Sequence, residues 1–207
     1  MKNLEDVRND ILSHAQSLFA RYGFDKTTIS DITAGGGRCK SSVYYHFKNK
    51  ADIFRGVVRM EFDAIRQELD KVLEHRAEDP AKAFAEYIRR RIELLEVAVA
   101  YSNAVTGNSS LAKHLVEQER SDFDNWEKDF FGSVWRGTID AGIIPPTISM
   151  EAYTNTLSGL IRGIETQYFN AEDKSSIIDL CSTMAELLIH RNPNFHKPAT
   201  GETTKNQ

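Results

Sequence analysis

The chain is expected to be all-α, and three features of its sequence point that way. Apolar residues recur at the three- and four-residue spacing of helix faces. No stretch alternates apolar and polar residues as a half-buried strand would. Glycine and proline are sparse and clustered, so they punctuate elements instead of interrupting them. About nine helices follow, three in an N-terminal unit and the rest in a helical body.

Val7, Ile11, Ala15, Leu18, Phe19 and Tyr22 stripe a first helix that Gly23 should stop. Thr28 and Asp31 have the spacing of a capping box, opening a short helix to about Ala34. Gly35, Gly36 and Gly37 permit a sharp turn, and a second short helix, CKSSVYYHF, follows. Asn49 and Asp52 cap a long fourth helix that continues to about His75. Asp79-Pro80 opens a fifth, expected to reach about Asn103. After the polar TGNSS come a short helix near Leu111–Gln118 and another over Ser121–Ala141. GIIPPT is a break, and two last helices span about Ser149–Asn170 and Glu172–Arg191. The polar stretch from Asn192 is expected to fray.

Composition narrows the function classes. The 207 residues, 41% of them hydrophobic, suit one large domain or a small one joined to a medium one. No apolar run approaches the roughly 20 residues of a membrane span. The N-terminus MKNLEDVRND lacks the apolar run of a secretory signal. Cys39 and Cys181 form no CxxC and no disulfide framework, which fits a reduced cytoplasmic compartment. No phosphate-binding loop, nucleophile elbow or paired histidines with metal-ligand spacing occur, so neither an enzyme nor a metal or other cofactor is expected.

Charge is unevenly spread. Residues 1–59 carry ten Lys and Arg against six acids, whereas 60–207 carry sixteen against twenty-four. A solvated basic face and a polyanion-binding head both account for this. The layout of the first 48 residues adds to the second reading. Three helices with a tight glycine turn between the second and third make a helix-turn-helix, whose last helix can enter a DNA major groove if its exposed face is small, polar and basic. Here that face offers Lys40, Ser41, Ser42, Tyr45 and His46, with Val43, Tyr44 and Phe47 as anchors and Arg38, Lys48 and Lys50 flanking. Lys50 falls in the first turn of the fourth helix, where backbone amides also attract phosphate.

TTISDI (27–32), the glycine turn and SVYYHFKNKADIF (42–54) resemble the TetR/AcrR family of bacterial one-component regulators. Thr27, Thr28, Ile32, Gly37, Tyr44, Tyr45, His46, Phe47, Lys50 and Phe54 fall on matching positions, and the strong resemblance covers about residues 5–59. Three positions depart from the pattern: Arg38 replaces an apolar turn residue, Cys39 a capping serine, and Ser41 a Gly or Ala. The resemblance implies a DNA head over 1–48, a regulatory and dimerisation body over 49–191 and a flexible tail over 192–207. It further implies a homodimer reading a palindromic double-stranded operator, usually as a repressor released by a small molecule. Lys40, Ser41, Ser42, Tyr45 and His46 are the expected groove contacts. Thr28, Arg38, Tyr44, Lys48 and Lys50 are the expected phosphate or positioning contacts.

In the body, Tyr153, Leu157, Leu160, Ile161 and Ile164 stripe the eighth helix, with Gly159 and Gly163 four apart. Ile177, Cys181, Met184 and Leu188 stripe the ninth. Such stripes build a subunit interface or a monomer core equally well; the resemblance favours the interface. The effector candidates are Tyr101, Asn103, His114, Trp126, Phe130, Asn155 and Arg162, and the aromatic content suggests an apolar or aromatic compound. Arg162 and Glu165, three apart, are equally placed to pair with each other. Two alternatives stand beside this reading. One is a regulator of the same fold controlled by a protein partner; a tightly filled body would favour it. The other is a helical enzyme or carrier with a vestigial head. Cys39 between Arg38 and Lys40 is expected to have a lowered pKa, and it is read either as redox-sensitive or as a small turn residue.

Overall fold

The computed structural model describes residues 3–37, 39–74, 80–140 and 145–189. They form α1 (Leu4–Lys26), α2 (Ile29–Gly35), α3 (Lys40–His46), α4 (Lys50–Glu74), α5 (Pro80–Glu93), a 3-10 turn (Leu94–Glu96), α6 (Val99–Thr106), α7 (Ser110–Asp140), α8 (Met150–Asn170) and α9 (Lys174–Ile189). Among the described residues there is no strand, and the all-α expectation holds. The expected tail lies outside them, as does the first half of the GIIPPT break.

The first four helices match their local signals. Gly23 adopts φ +75° and kinks α1, which resumes for one short stretch to Lys26, so the expected stop is a bend. Thr28 and Asp31 form the capping box of α2. Asn49 Oδ1 accepts the amide of Asp52, and Asp52 in turn accepts the amide of Lys48, at the start of α4. Apolar side chains of α1, α2, α3 and α4 close over one another, and the same core continues into α5, α6, α7 and α8 without a gap. α1 packs on both α4 and α6, which seats the N-terminal unit against the body.

Two expected boundaries were wrong. The single helix from Asp79 to Asn103 is three elements, broken around Val97 and Ala98. The cause is tertiary. The buried Glu61 carboxylate on α4 accepts the amides of Ala100 at 2.9 Å and Tyr101 at 3.0 Å. It therefore caps a new N-terminus that no nearby side chain announces. The two helices expected over 111–141 are one continuous α7. The residues between the two expected segments are pinned from outside and within: Arg59 holds Glu119, and Arg120 holds Asp124 four residues on.

The body encloses a network of buried charge. Arg91 on α5 is fully buried, donates to Glu127 of α7 at 2.7 Å and pairs with Glu165 of α8 at 2.7 Å. Arg120 of α7 pairs with the same Glu165 and donates to the hydroxyl of Tyr101 at 3.0 Å. Tyr87 donates to Glu127 at 2.8 Å. Removing one member would leave its partner charged and unpaired inside the protein, a change that typically costs about 3–5 kcal/mol. Arg162 and Glu165 do not pair with each other. Arg162 turns outward to Asp124 and Glu117, because Glu165 faces inward to the two arginines.

Burial raises the pKa of Glu61 above its ordinary 4.5, and the α6 amides and Gln16 only partly oppose it. A carboxyl with a raised folded pKa holds its proton more tightly folded than unfolded. Its contribution to stability therefore falls as pH rises from 4.5 through the folded value. The unfolding free energy of the wild type minus that of Glu61→Gln should decline over that window in urea titrations at several pH values. A difference independent of pH would show that Glu61 titrates normally.

Candidate nucleic-acid interface

α2, the glycine turn and α3 are built almost entirely by local chemistry. The Thr28 hydroxyl accepts the amide of Asp31 at 3.2 Å, and the Asp31 carboxylate accepts the amide and hydroxyl of Thr28 at 2.8 and 2.7 Å. These bonds hold the Asp31 carboxyl below its usual range. Thr27 is buried and donates its hydroxyl to the Gly23 carbonyl at 2.8 Å, fixing the entry into α2. Gly37 takes φ +60°, a left-handed conformation that glycine reaches without strain and that redirects the chain toward α3.

α3 is anchored by Val43, which is 0% exposed, and by Phe47 directly after it. These residues lie one turn apart and share a face. Tyr44 was expected among the anchors, but it sits a hundred degrees round the helix and is 54% exposed. Lys40 and Ser41 are exposed, Ser42 and His46 half-buried, and Tyr45 is 72% exposed with its ring edge-on to His46. The outer face of α3 therefore presents Lys40, Ser41, Tyr44 and Tyr45 together. Arg38 lies outside the described residues. Lys48 is exposed beyond the C-terminus of α3. Lys50 is committed elsewhere: its ammonium donates to the carbonyls of Phe24 at 2.8 Å and Asp25 at 3.3 Å and lies over the Phe24 ring. It closes the C-terminal end of α1, where carbonyls lack helical partners.

Cys39 occupies the N-cap of α3 with extended backbone and no capping hydrogen bond from its side chain, as expected for a thiol. Its sulfur lies 3.0 Å from the Ser41 hydroxyl, and that contact lowers the thiol pKa.

The effector candidates do not share one place. Tyr101 and Phe130 are buried, Trp126 is half-buried, and His114, Asn155 and Arg162 are exposed. Tyr101 and Arg162 join the same buried network through Arg120 and Asp124. Asn103 instead donates to the carbonyls of Phe19 and Ala20, binding α6 to α1 beside a cleft of about 180 Å³ at the junction of head and body. The interface candidates divide likewise. Leu157, Ile164 and Cys181 are buried in the chain's own core, and Tyr153 is partly buried against it. Gly159, Gly163 and Leu160, which is 43% exposed, face outward, and a Cβ at either glycine would meet nothing within 4 Å. The side chains of Met184 and Leu188 lie outside the described residues. The sequence reading overlooked Gln16, Glu61, Arg91, Arg120 and Glu127. Arg120, Asp124 and Glu127 do share a helix face with Phe123, Phe130 and Phe131, and charges embedded in an aromatic stripe are the signal that would have found them.

The family of bacterial regulatory proteins of the tetR type matches residues 11–57. The transcriptional repressor KstR2 of Rhodococcus jostii is 30% identical over 140 residues, which take in 66% of this chain and 65% of that protein's length. The chain belongs to the TetR family. Solved TetR-like folds extend the likeness over the body. SmeT bound to triclosan superposes with a TM-score of 0.70 at 18% identity, covering 97% of this chain and 99% of that one. FadR of Bacillus subtilis, solved with stearoyl-CoA, gives 0.65 at 18% identity over 88% and 97%. These structures share the N-terminal helix-turn-helix and helical body described above.

The two cysteines should differ sharply toward an alkylating reagent. Cys39 is exposed with a lowered pKa, whereas Cys181 is buried with a raised one. Brief iodoacetamide treatment of the native protein, read by peptide mass spectrometry, should label Cys39 first. Equal labelling would contradict this placement.

Proposed function

We propose that this TetR-family chain is a one-component transcriptional regulator acting in the bacterial cytoplasm, a repressor that binds a palindromic double-stranded operator as a homodimer. Residues 1–48 serve as the reading head, and residues 49–191 serve as the regulatory and dimerisation body. The observation that carries this reading is the outer face of α3. A capped α2, a left-handed glycine and the Val43–Phe47 anchor hold a short helix so that Lys40, Ser41 and Tyr45 project together. Ser42 and His46 border that face. Thr28, Tyr44, Lys48 and Arg38 are positioned by sequence to meet phosphates, while Lys50 acts as a positioning residue by holding α1. In the dimer the two α3 helices would lie about one DNA turn, roughly 34–36 Å, apart.

A small-molecule effector acting on the body would release the operator. KstR2 is named a repressor, and SmeT and FadR were solved with triclosan and stearoyl-CoA, which supports an apolar or aromatic compound. Such a compound works by binding one head spacing better than the other.

Fluorescence anisotropy against DNA from upstream of the protein's own coding region, or against DNA selected from random sequence, tests the reading. Tight, salt-sensitive binding is expected. Lys40→Ala and Tyr45→Ala should each weaken it on the order of ten-fold or more, since a good base or phosphate contact is worth roughly 1–3 kcal/mol. Binding that is weak, indifferent to sequence and unchanged in both variants would reject it.

Dimerisation is tested separately. The open face of Gly159, Leu160 and Gly163, with the exposed Leu180 of α9, is where a second copy fits. Sedimentation velocity should show a dimer for the wild type and a monomer for Leu160→Glu. A monomeric wild type, or a variant that stays dimeric, would reject this face.

A further inference from the structure

Near the start of α1 stands a cation that the rest of the protein leaves unanswered. Ile11 and Leu12, one turn after Arg8, are buried, so Arg8 lies on the inward edge of α1 where the core gives out. Leu12 and Phe47 meet at Gly56 of α4, where an added Cβ would stand 2.8 Å from Leu12 Cδ2 and 3.5 Å from Phe47 Cε1. Arg8 closes this group from outside. Its guanidinium carbon lies 5.1 Å from the centre of the buried Phe47 ring, while the residue as a whole is half-buried. Among the described residues no carboxylate pairs with Arg8 and no acceptor takes its hydrogens, although Glu5 stands three residues before it.

Phe47 follows α3 directly, so this guanidinium stands at the C-terminal end of that helix. The seven residues of α3 span roughly 10 Å, close to the roughly 12 Å width of a major groove. Cations just past the ends of a helix of that length face the sugar-phosphate strands, not the base edges. Lys48 occupies the same end, exposed, with its amide held by Asp52 at 3.0 Å. Lys50, the other cation expected there, is engaged with the carbonyls at the far end of α1. A guanidinium suits phosphate better than an ammonium does, because its fork of N–H groups matches two phosphate oxygens at once. Stacking on Phe47 leaves the edge N–H groups available and limits the rotamers that binding must freeze.

We propose that Arg8 is a DNA-binding residue: stacked on Phe47, it grips a backbone phosphate beside the groove that α3 enters, and so orients the head without reading sequence. The proposal deepens the regulator reading and rests on it.

Three full-length variants test it. Arg8→Met keeps a long flexible chain to cover Phe47 and removes the charge, whereas Arg8→Lys keeps a charge. Arg136→Met makes the same charge change at an exposed position roughly 40 Å along α7 from the end that meets the head through Ser109 and Asp25. Unfolding midpoints within a few degrees of the wild type would establish that Phe47 stays covered. Binding to DNA selected from random sequence, and to DNA of unrelated sequence, is then measured over a range of salt concentrations. Each lost phosphate contact lowers the slope of log affinity against log salt by roughly 0.9, so a dimer of Arg8→Met should lose roughly 2. Its affinity at about 0.1 M salt should fall on the order of ten-fold or more for both DNAs, leaving the ratio between them unchanged. Arg8→Lys should keep the wild-type slope, and Arg136→Met should match the wild type throughout. A wild-type slope in Arg8→Met would overturn the proposal even if its affinity falls, because a residue that only packs on Phe47 changes stability and not counter-ion release. An equal loss of slope in Arg136→Met would overturn it as well, since net charge alone would then account for the effect. A wild type that prefers no DNA sequence would reject the regulator reading, while the slopes on unrelated DNA would still decide the role of Arg8. A wild type that binds neither DNA would overturn both.

Discussion

Much of this molecule depends on where one carboxylate is placed. Glu61 lies on the inner face of α4, beneath α1, and it caps α6 from another helix. Without an acceptor there, the backbone around Val97 and Ala98 would have little reason to leave the helical path. α5 and α6 could then run on as one rod, in the manner their sequence suggests. The bend instead lets α6 lie across α1 and α4 and brings Asn103 to the carbonyls of α1. A buried charge is expensive to keep, and it persists here because three donors from two elements converge on it. Head and body are thereby joined by hydrogen bonds as well as by a shared apolar core.

The body solves a similar problem on a larger scale. Arg91 and Arg120 are surrounded by Glu127, Glu165 and Asp124, with Phe123 packed against both guanidinium groups. Such a set contributes little net stability over an apolar core of equal volume. It does impose geometry, because each pair is satisfied in only a narrow range of helix placements. α5, α7 and α8 are consequently held in register by directional contacts, while the apolar residues around them supply the bulk of the burial.

What could be read from the sequence follows from how local each signal is. The capping box of Thr28 and Asp31, the Asn49–Asp52 cap and the glycine turn each lie within a few residues of the structure they determine, and all were legible. Part of the outer face of α3 was legible too: Lys40, Ser41 and Tyr45 are exposed as expected, while Ser42 and His46 are half-buried, and Tyr44, whose aromatic ring suggested an anchor, is turned outward by its helical angle. The break before α6 and the continuity of α7 were not legible. The first is set by a residue some forty positions away, and the second is supported by Arg59, sixty positions away, as well as by the local Arg120–Asp124 pair. The role of Lys50 was hidden for the same reason: a lysine near the start of a helix reads as a free cation, and nothing local reveals the α1 carbonyls 25 and 26 residues before it. In the body, the amphipathic stripes on α8 could not separate inward Leu157 and Ile164 from outward Leu160, since adjacent angles on one helix differ by less than the width of an apolar face.

The engagement of Lys50 changes how the basic N-terminal segment should be counted. Lys50 gives its ammonium to backbone carbonyls, and Arg59 gives its guanidinium to Glu119. Lys40 and Lys48 stand exposed at the start and just past the end of α3. The pairing of Arg59 with Glu119 means that the formal charge of the segment overstates the field it projects, and Lys40 and Lys48 place part of that field at the two ends of one short helix. A surface of that kind attracts a polyanion less strongly from a distance than a broad basic patch would. It also exerts a torque as the polyanion approaches, so orientation of α3 comes before close contact.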